Sequence, residues 1–300
     1  MHDFDYHAPE SLAEAFRLSR GAEGSARYLA GGTDLLLALE RAQAQGAEGP
    51  ARVIDLKRIP GLEGIEALSD GGLRIGALTA MAAIAAHADI RARLPALAQG
   101  ASFVGGPAIR NRATLGGNLC NASPAADTSP ALLACGAAVE IAGPEGARAL
   151  PLAELWLGPR RIALAAGEVV TAVRVPAPGA RSGTAFRRIT RTAMDIALVN
   201  AAARVRLDGR GRIAEAALAL GAVAPAAILV PEVARALAGR APEEAAWREA
   251  QALAQAAARP IGDVRASADY RREMAGVLAA RALRSAAERA AADRVAGGAP

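Results

Sequence analysis

The sequence predicts an α+β chain built as two domains, and three observations carry that prediction. Hydrophobic residues fill 52% and charged residues 22% of the 300 positions, enough apolar side chain for more than one core. Short apolar strands and amphipathic helices interleave through the first part of the chain. The last third runs strands first and helices afterwards, a layered α+β order. Between the two parts, Pro176-Ala177-Pro178-Gly179 punctuates the chain, so domains are expected at 1–177 and 181–288.

Element by element, residues 9–20 carry an amphipathic helix ending near Gly21. Tyr28-Leu29-Ala30 is a short strand running straight into Gly31-Gly32-Thr33-Asp34. Asp34 is expected to cap a helix over 35–45 that Gly46 stops. Residues 52–56 form a strand, and Asp70-Gly71-Gly72 turns a hairpin into Leu73-Arg74-Ile75. Thr79 is placed to cap an alanine-rich helix through His87. From Gly105 to Pro130 the chain is dense in Gly, Asn, Ser, Thr, Pro and Asp with no period, and loops of that length usually serve a function. A helix at 131–135 and strands at 138–142 and 168–175 complete the first domain. Strands at 184–189, 197–207 and 213–220 follow, the last two joined by Asp208-Gly209-Arg210-Gly211. Helices at 231–238, 242–259 and from 267 to about 289 end the fold, and the final Ala-Gly-Gly-Ala-Pro is expected to be disordered.

Composition removes several function classes. The formal charge is +5, but of 35 basic residues only Lys57 is a lysine, a skew that matches the alanine richness of the whole chain. With 3% aromatic residues there are few stacking platforms, so nucleic acid is not the expected partner. The start, His2-Asp3-Phe4-Asp5-Tyr6, lacks the apolar core of a secretory signal, and no apolar run reaches membrane-span length. A cytoplasmic location is the expectation. Neither Gly-x-x-x-x-Gly-Lys-[Ser/Thr] nor Gly-x-Gly-x-x-Gly occurs, and no Gly-x-Ser-x-Gly elbow is present. His2, His7 and His87 lack metal-ligand spacing, and Cys120 and Cys135 cannot fill a four-thiolate cluster.

What remains is a pair of glycine tracts, Ala30-Gly31-Gly32-Thr33-Asp34 and Thr114-Leu115-Gly116-Gly117-Asn118. Consecutive N–H groups in a tight turn make a concave anion site, and glycine lets the backbone approach the anion without a Cβ in the way. Either tract alone could be an ordinary turn. Together they could hold both phosphates of a dinucleotide. Donors crowd the second one, with Arg110-Asn111-Arg112 before it and Asn121 through Asp127 after it.

In that context the sequence resembles one family. Ile109-Arg110-Asn111, Thr114 through Leu119 and Ala122-Ser123-Pro124-Ala125-Ala126-Asp127 closely match the signature of the FAD-binding medium subunits of molybdenum hydroxylases. That group includes xanthine dehydrogenase, carbon monoxide dehydrogenase and hydroxybenzoyl-CoA reductase. Ala30 through Leu36 match the family's other FAD loop. Phe186-Arg187, Arg191 and Asp195 through Asn200 resemble the start of its C-terminal domain, and Ala266 through Arg272 its last helix.

The resemblance implies a PCMH-type FAD-binding domain of two α+β subdomains, followed by a sheet-plus-helices C-terminal domain. It implies that Leu29, Ala30, Gly31, Gly32, Thr33, Asp34, Leu35 and Leu36 wrap the FAD pyrophosphate from one side. Thr114, Leu115, Gly116, Gly117 and Asn118 would clamp it from the other. Val104 would lie on the flavin ring, Asp127 near the ribityl chain or flavin edge, and Val170 near the ring system. Arg187 would stand where relatives commonly carry lysine, beside the flavin, where a cation stabilises negative charge on the reduced ring. Arginine there is not equivalent to lysine, because its planar fork is bulkier. No catalytic or metal-binding side chain is implied.

The same resemblance implies partners: a small subunit with two [2Fe–2S] clusters and a molybdopterin-binding large subunit, arranged as a dimer of heterotrimers. Electrons would pass from molybdenum through the clusters and this FAD to NAD⁺, a quinone or another acceptor. Two alternatives stay open at this point: a stand-alone FAD oxidoreductase of the same superfold, and a nucleotide-binding subunit without catalytic function.

Overall fold

A computed structural model describes residues 3–20 and 25–296. Gly21, His2 and the last four residues, on which sequence expectations fall, lie outside the described residues. Three short parallel strands open the chain: β1 (Asp5–His7), β2 (Ala26–Leu29) and, after the intervening helix pair, β3 (Arg52–Asp55), in the order β1-β3-β2. The helices are α1 (Leu12–Arg20) and α2 (Leu35–Ala44). Parallel strands need such crossovers, and Ala15, Ile54 and Leu56 seal the small core beneath them.

A second subdomain follows. Its five-stranded antiparallel sheet has the order β4-β5-β10-β6-β7, formed by β4 (Ile65–Ala67), β5 (Leu73–Gly76), β6 (Ala138–Gly143), β7 (Gly146–Pro151) and β10 (Val169–Val175). The Asp70 turn joins β4 to β5 as expected, with its carboxylate accepting from Gly72 N at 2.8 Å. Between β5 and β6 lie six short helices: α3 (Met81–Ala86), α4 (Ala88–Arg93), α5 (Pro95–Ser102), α6 (Pro107–Arg110), α7 (Leu115–Cys120) and α8 (Ser129–Ala134). A small ribbon, β8 (Trp156–Gly158) with β9 (Arg161–Ile162), precedes β10.

The C-terminal domain is a sheet in the order β11-β12-β13-β14, covered by helices. Its strands are β11 (Ser182–Ile189), β12 (Val199–Leu207), β13 (Ile213–Gly221) and β14 (Ile228–Leu229). The helices are α9 (Pro231–Leu237), α10 (Glu244–Ala257) and α11 (Ala268–Ala296). Alanine sets the spacing here: Ala201, Ala203, Ala279, Ala282 and Ala286 are all fully buried. Gly183 brings α11 closer still, since a Cβ there would meet the Ala286 carbonyl oxygen at 2.1 Å. The opposite face of the sheet is not solvent-exposed. Phe186, Ala202 and Ala219 belong to the same core as α5 and α8 of the first domain. Across that junction Thr184 Oγ1 accepts from Ala96 N at 3.1 Å.

The α+β class and its two-layer ending agree with the sequence, while several local expectations do not. Residues 105–130 are not one structureless loop but contain α6 and α7, each too short to show a helical period. The sequence carries no strand signal at β7, because Gly146–Pro151 is mostly exposed and does not alternate. Thr79 does not cap α3; its buried hydroxyl exchanges hydrogen bonds with the backbone of Gly64, both at 3.0 Å, and Ala80 holds the cap position. Asp34 stands at the head of α2 with helical backbone angles (φ −103°, ψ −42°) and makes no side-chain cap bond. An extended backbone is what carries a cap side chain to the N–H groups.

Candidate functional site

The two glycine tracts meet, but they are built differently. The first leaves β2 at Leu29 and turns through Gly32, whose φ is +81°, before α2 starts at Leu35. Leu36 N donates to Gly32 O at 3.1 Å and closes the turn. Among the described residues, no protein acceptor is paired with the N–H groups of Gly31, Gly32, Thr33 or Asp34. Four such donors at a helix start make an anion cradle. Gly31 is there for close approach: a Cβ would lie 1.9 Å from the Arg112 carbonyl oxygen, so this residue presses the first tract onto the segment that leads into the second.

The second tract spends its N–H groups inside the protein. Leu115 N donates to Thr79 O at 3.1 Å, Gly116 N to Ala77 O at 2.7 Å, and Asn118 N to Thr114 O at 3.0 Å. Gly117 N donates to Thr114 Oγ1 at 3.2 Å, a side-chain cap on α7. Its glycines serve as a floor. A Cβ on Gly116 would sit 2.7 Å from Ala77 Cβ, and one on Gly117 would sit 3.8 Å from Ala30 Cβ, the point where the tracts face each other.

Beside this junction opens a chamber of about 660 Å³, within the usual range for cofactor pockets. Its walls include Tyr28, Ala30, Leu78, Gly116, Gly117, and, from the second subdomain's edge, Leu164 and Val170. The lining is mostly apolar. Tyr28 Oη donates to Gly167 O at 3.0 Å and ties the two subdomains together across the opening.

Val104 and Asp127 lie elsewhere, toward the C-terminal domain. Gly100 lets α5 run under the Asp127 backbone, since a Cβ would meet Asp127 O at 2.4 Å. The Asp127 carboxylate accepts from Arg188 Nη1 at 2.8 Å and from Asn200 Nδ2 at 3.0 Å. The ion pair is buried, with the two side chains only 6% and 9% exposed. Burial pushes the Asp127 carboxyl up to about 6, although Arg188 and the Asn200 amide pull in the other direction. The Arg188 guanidinium also stacks over the Phe103 ring, 4.2 Å from its centroid, next to half-buried Val104. Helix α7 borders both regions: Gly116 and Gly117 face the chamber, while Asn118 Oδ1 accepts from Thr128 Oγ1 at 2.6 Å beside Asp127.

Arg187 is not brought to this group. It lies on the other face of β11 and donates to Ser285 Oγ of α11 at 2.6 Å. Strand parity decides the matter, because Thr184 and Phe186 face the first domain, and so does Arg188. Counting by twos from Phe186 along the predicted strand would have found Arg188 from sequence. Tyr28, Leu78 and Phe103 gave no such signal, being single apolar residues in ordinary positions.

The residues present fit a flavin dinucleotide: open backbone donors for a pyrophosphate, an apolar chamber large enough for a nucleoside, and a buried polar pair on the other side of α7. A turn with open backbone donors beside such a chamber is the arrangement of a dinucleotide-cofactor protein. Comparison with known proteins makes the class specific. A family model described as the FAD binding domain in molybdopterin dehydrogenase matches residues 2–178. One described as the CO dehydrogenase flavoprotein C-terminal domain matches residues 184–286. The carbon monoxide dehydrogenase medium chain of Afipia carboxidovorans is 36% identical over 96% of this chain and 98% of its own length. The xanthine dehydrogenase FAD-binding subunit of Escherichia coli O157:H7 is 37% identical over 76% of this chain and 77% of its own. The solved carbon monoxide dehydrogenase from Hydrogenophaga pseudoflava superposes with a TM-score of 0.90 at 35% identity, covering 95% of this chain and 98% of that one. Quinoline 2-oxidoreductase from Pseudomonas putida 86 gives 0.88 at 31% identity, covering 96% and 98%. The chain belongs to the FAD-binding medium subunits of the molybdenum hydroxylases, and FAD is its cofactor.

Proposed function

We propose that this chain is the electron-transfer subunit of a cytoplasmic molybdenum hydroxylase, a dimer of heterotrimers. A molybdopterin-binding large subunit would oxidise the substrate, and [2Fe–2S] clusters of a small subunit would deliver the electrons here. The domain division at 1–177 and 181–288 goes with this reading. FAD, when bound, supplies the redox chemistry by taking up those electrons and passing them to NAD⁺ or another acceptor.

The chain's own residues bind and orient. Gly31 through Asp34 offer backbone N–H groups to the pyrophosphate, and Gly116 and Gly117 provide the flat floor opposite. The chamber of Tyr28, Leu78 and Leu164 takes the adenosine, excluding water from its apolar faces, and Val170 lines this chamber instead of standing by the ring system as the resemblance implied. Asp127 and Arg188 stand toward the flavin end, where the pair is close to neutral and offers polar groups in place of a free cation. The observation that carries the proposal is the row of N–H donors at Gly31 through Asp34, unpaired among the described residues, that follows directly on Ala30, a wall of the chamber. Its test is purification of the native complex with flavin and metal analysis, followed by acceptor assays. One FAD per chain is expected, and its reduction by the complex's substrate should require the iron–sulfur subunit. A complex without flavin, or flavin reduction that is indifferent to that subunit, would overturn the proposal.

A further inference from the structure

The sole lysine of this arginine-rich chain stands beside the phosphate cradle. Lys57 follows β3, whose last residue, Asp55, pairs in register with Leu29 at the end of β2. The Lys57 ammonium lies 2.7 Å from Asp55 Oδ2 and donates to the carbonyl oxygen of Ala30 at 3.2 Å. Tyr6, on β1, donates its hydroxyl to the same Asp55 oxygen at 2.6 Å. Asp55 Oδ1 in turn accepts from Lys57 N at 3.0 Å, so the carboxylate grips both ends of the lysine. All three strands of the parallel sheet therefore contribute one group at their carboxyl edge. Asp55 is 5% exposed, and nothing in the hydrophobic packing requires a carboxylate there.

The consequence lies in one peptide plane. The described residues contain no cis peptide, and in a trans peptide the carbonyl of residue i and the N–H of residue i+1 point in opposite directions. Holding Ala30 O against Lys57 therefore turns Gly31 N–H away from the lysine, as the first donor of the cradle. Glycine at 31 makes the φ side of this plane permissive, so a flip is opposed only weakly by the backbone itself. A hydrogen bond from a fixed charged group is a direct way to prevent it.

We infer that Tyr6, Asp55 and Lys57 form a positioning relay that locks the Ala30–Gly31 peptide with its N–H turned to the FAD pyrophosphate. This rests on the FAD assignment of the first tract. None of the three is a catalytic residue. A lysine suits the task better than an arginine: its compact ammonium reaches a carboxylate and a carbonyl at once, while a planar fork would prefer two parallel acceptors.

The test uses the full chain, in whatever complex it co-purifies with, stripped of flavin and titrated with FAD. Lys57→Met should weaken FAD binding about 10-fold or more, the size expected for loss of one charge-assisted hydrogen bond. Tyr6→Phe, at a surface position, should give a smaller loss in the same direction. The ³¹P resonances of bound FAD should shift in both variants; Lys57→Met also lowers the thermal midpoint of the flavin-free protein, because Asp55 stays buried without its cation, so the ³¹P shift is the readout that separates the relay from a purely structural role. Lys57→Arg should restore affinity only in part. Unchanged ³¹P resonances, or an unchanged FAD affinity in a folded Lys57→Met protein, would overturn the relay. If Lys57→Met fails to fold, Tyr6→Phe alone decides by the same two readouts. A wild-type complex that takes up no FAD at all would instead sink the cofactor assignment on which the relay rests.

Discussion

Replacing Arg188 with methionine probes the junction between the two domains most directly. Arg188 is the positive partner of a carboxylate that water barely reaches, the Asp127 side chain being 9% exposed. Removing one member of such a pair leaves the other charge buried and costs about 3–5 kcal/mol. The lost stack on Phe103 adds about 0.5–2 kcal/mol. Asp127 can escape part of this cost by taking up a proton. Its carboxyl already sits at about 6 with Arg188 in place, and each further unit upward accounts for about 1.4 kcal/mol.

The sign follows from linkage. A carboxyl raised in the folded state destabilises the fold once pH climbs above its unfolded value near 3.8, and fully above its folded value. In the wild type that penalty is nearly complete about one unit above the folded value, so stability above about pH 7 is flat as far as this group is concerned. In the methionine variant loss of the guanidinium drives the carboxyl further up, so the fall in stability should extend to higher pH than in the wild type. Urea unfolding of the variant and of the Asp127→Asn, Arg188→Met double variant at several pH values measures this. The double variant should be more stable than the sum of the single losses by about 1–3 kcal/mol. Loss of less than about 1 kcal/mol at pH 7.5, with no pH slope, would refute the buried-pair argument.

Three further outcomes follow from the geometry. Gly31→Ala places a methyl group 1.9 Å from the Arg112 carbonyl, and the tracts must separate; flavin content by visible absorbance should fall to near zero while circular dichroism of the apo-protein persists. Filling the chamber with Leu164→Trp should lower affinity for FAD far more than for FMN, as FMN has no adenosine; equal losses in isothermal titration would remove the chamber from the site. Gly183→Val drives side-chain atoms into α11, where even a Cβ meets Ala286 O at 2.1 Å. The variant should be insoluble or destabilised by more than about 4 kcal/mol in thermal unfolding.

The sequence showed the strands with strong apolar character and both glycine tracts, because those signals are local. β10 and β12 are largely buried, and their Val- and Ala-rich sequences carry a strand signal despite Arg174, Arg204 and Arg206. The misread parts depend on distant partners. Thr79 looked like a helix cap until Gly64, 15 residues earlier, claimed its hydroxyl. The second tract looked like a second row of phosphate donors, yet Ala77 and Thr79 take its N–H groups, which no motif reports. Arg187 and Arg188 are neighbours of the same type, and only the parity of β11 against two cores separates them. Lys57 stood out in composition as the one lysine, but its meaning came from a carbonyl 27 residues away.

The Asp127 carboxylate waits for partners that the ribosome adds 61 and 73 residues later, at Arg188 and Asn200. A nascent chain that has exposed both glycine tracts still lacks Arg188 and Asn200, the groups we propose stand with Asp127 toward the flavin. Cofactor capture during synthesis is therefore expected to begin only after β12 has emerged and paired with β11. Until then the apolar face of α5 and α8, later covered by Phe186, Ala202 and Ala219, stays open to chaperones.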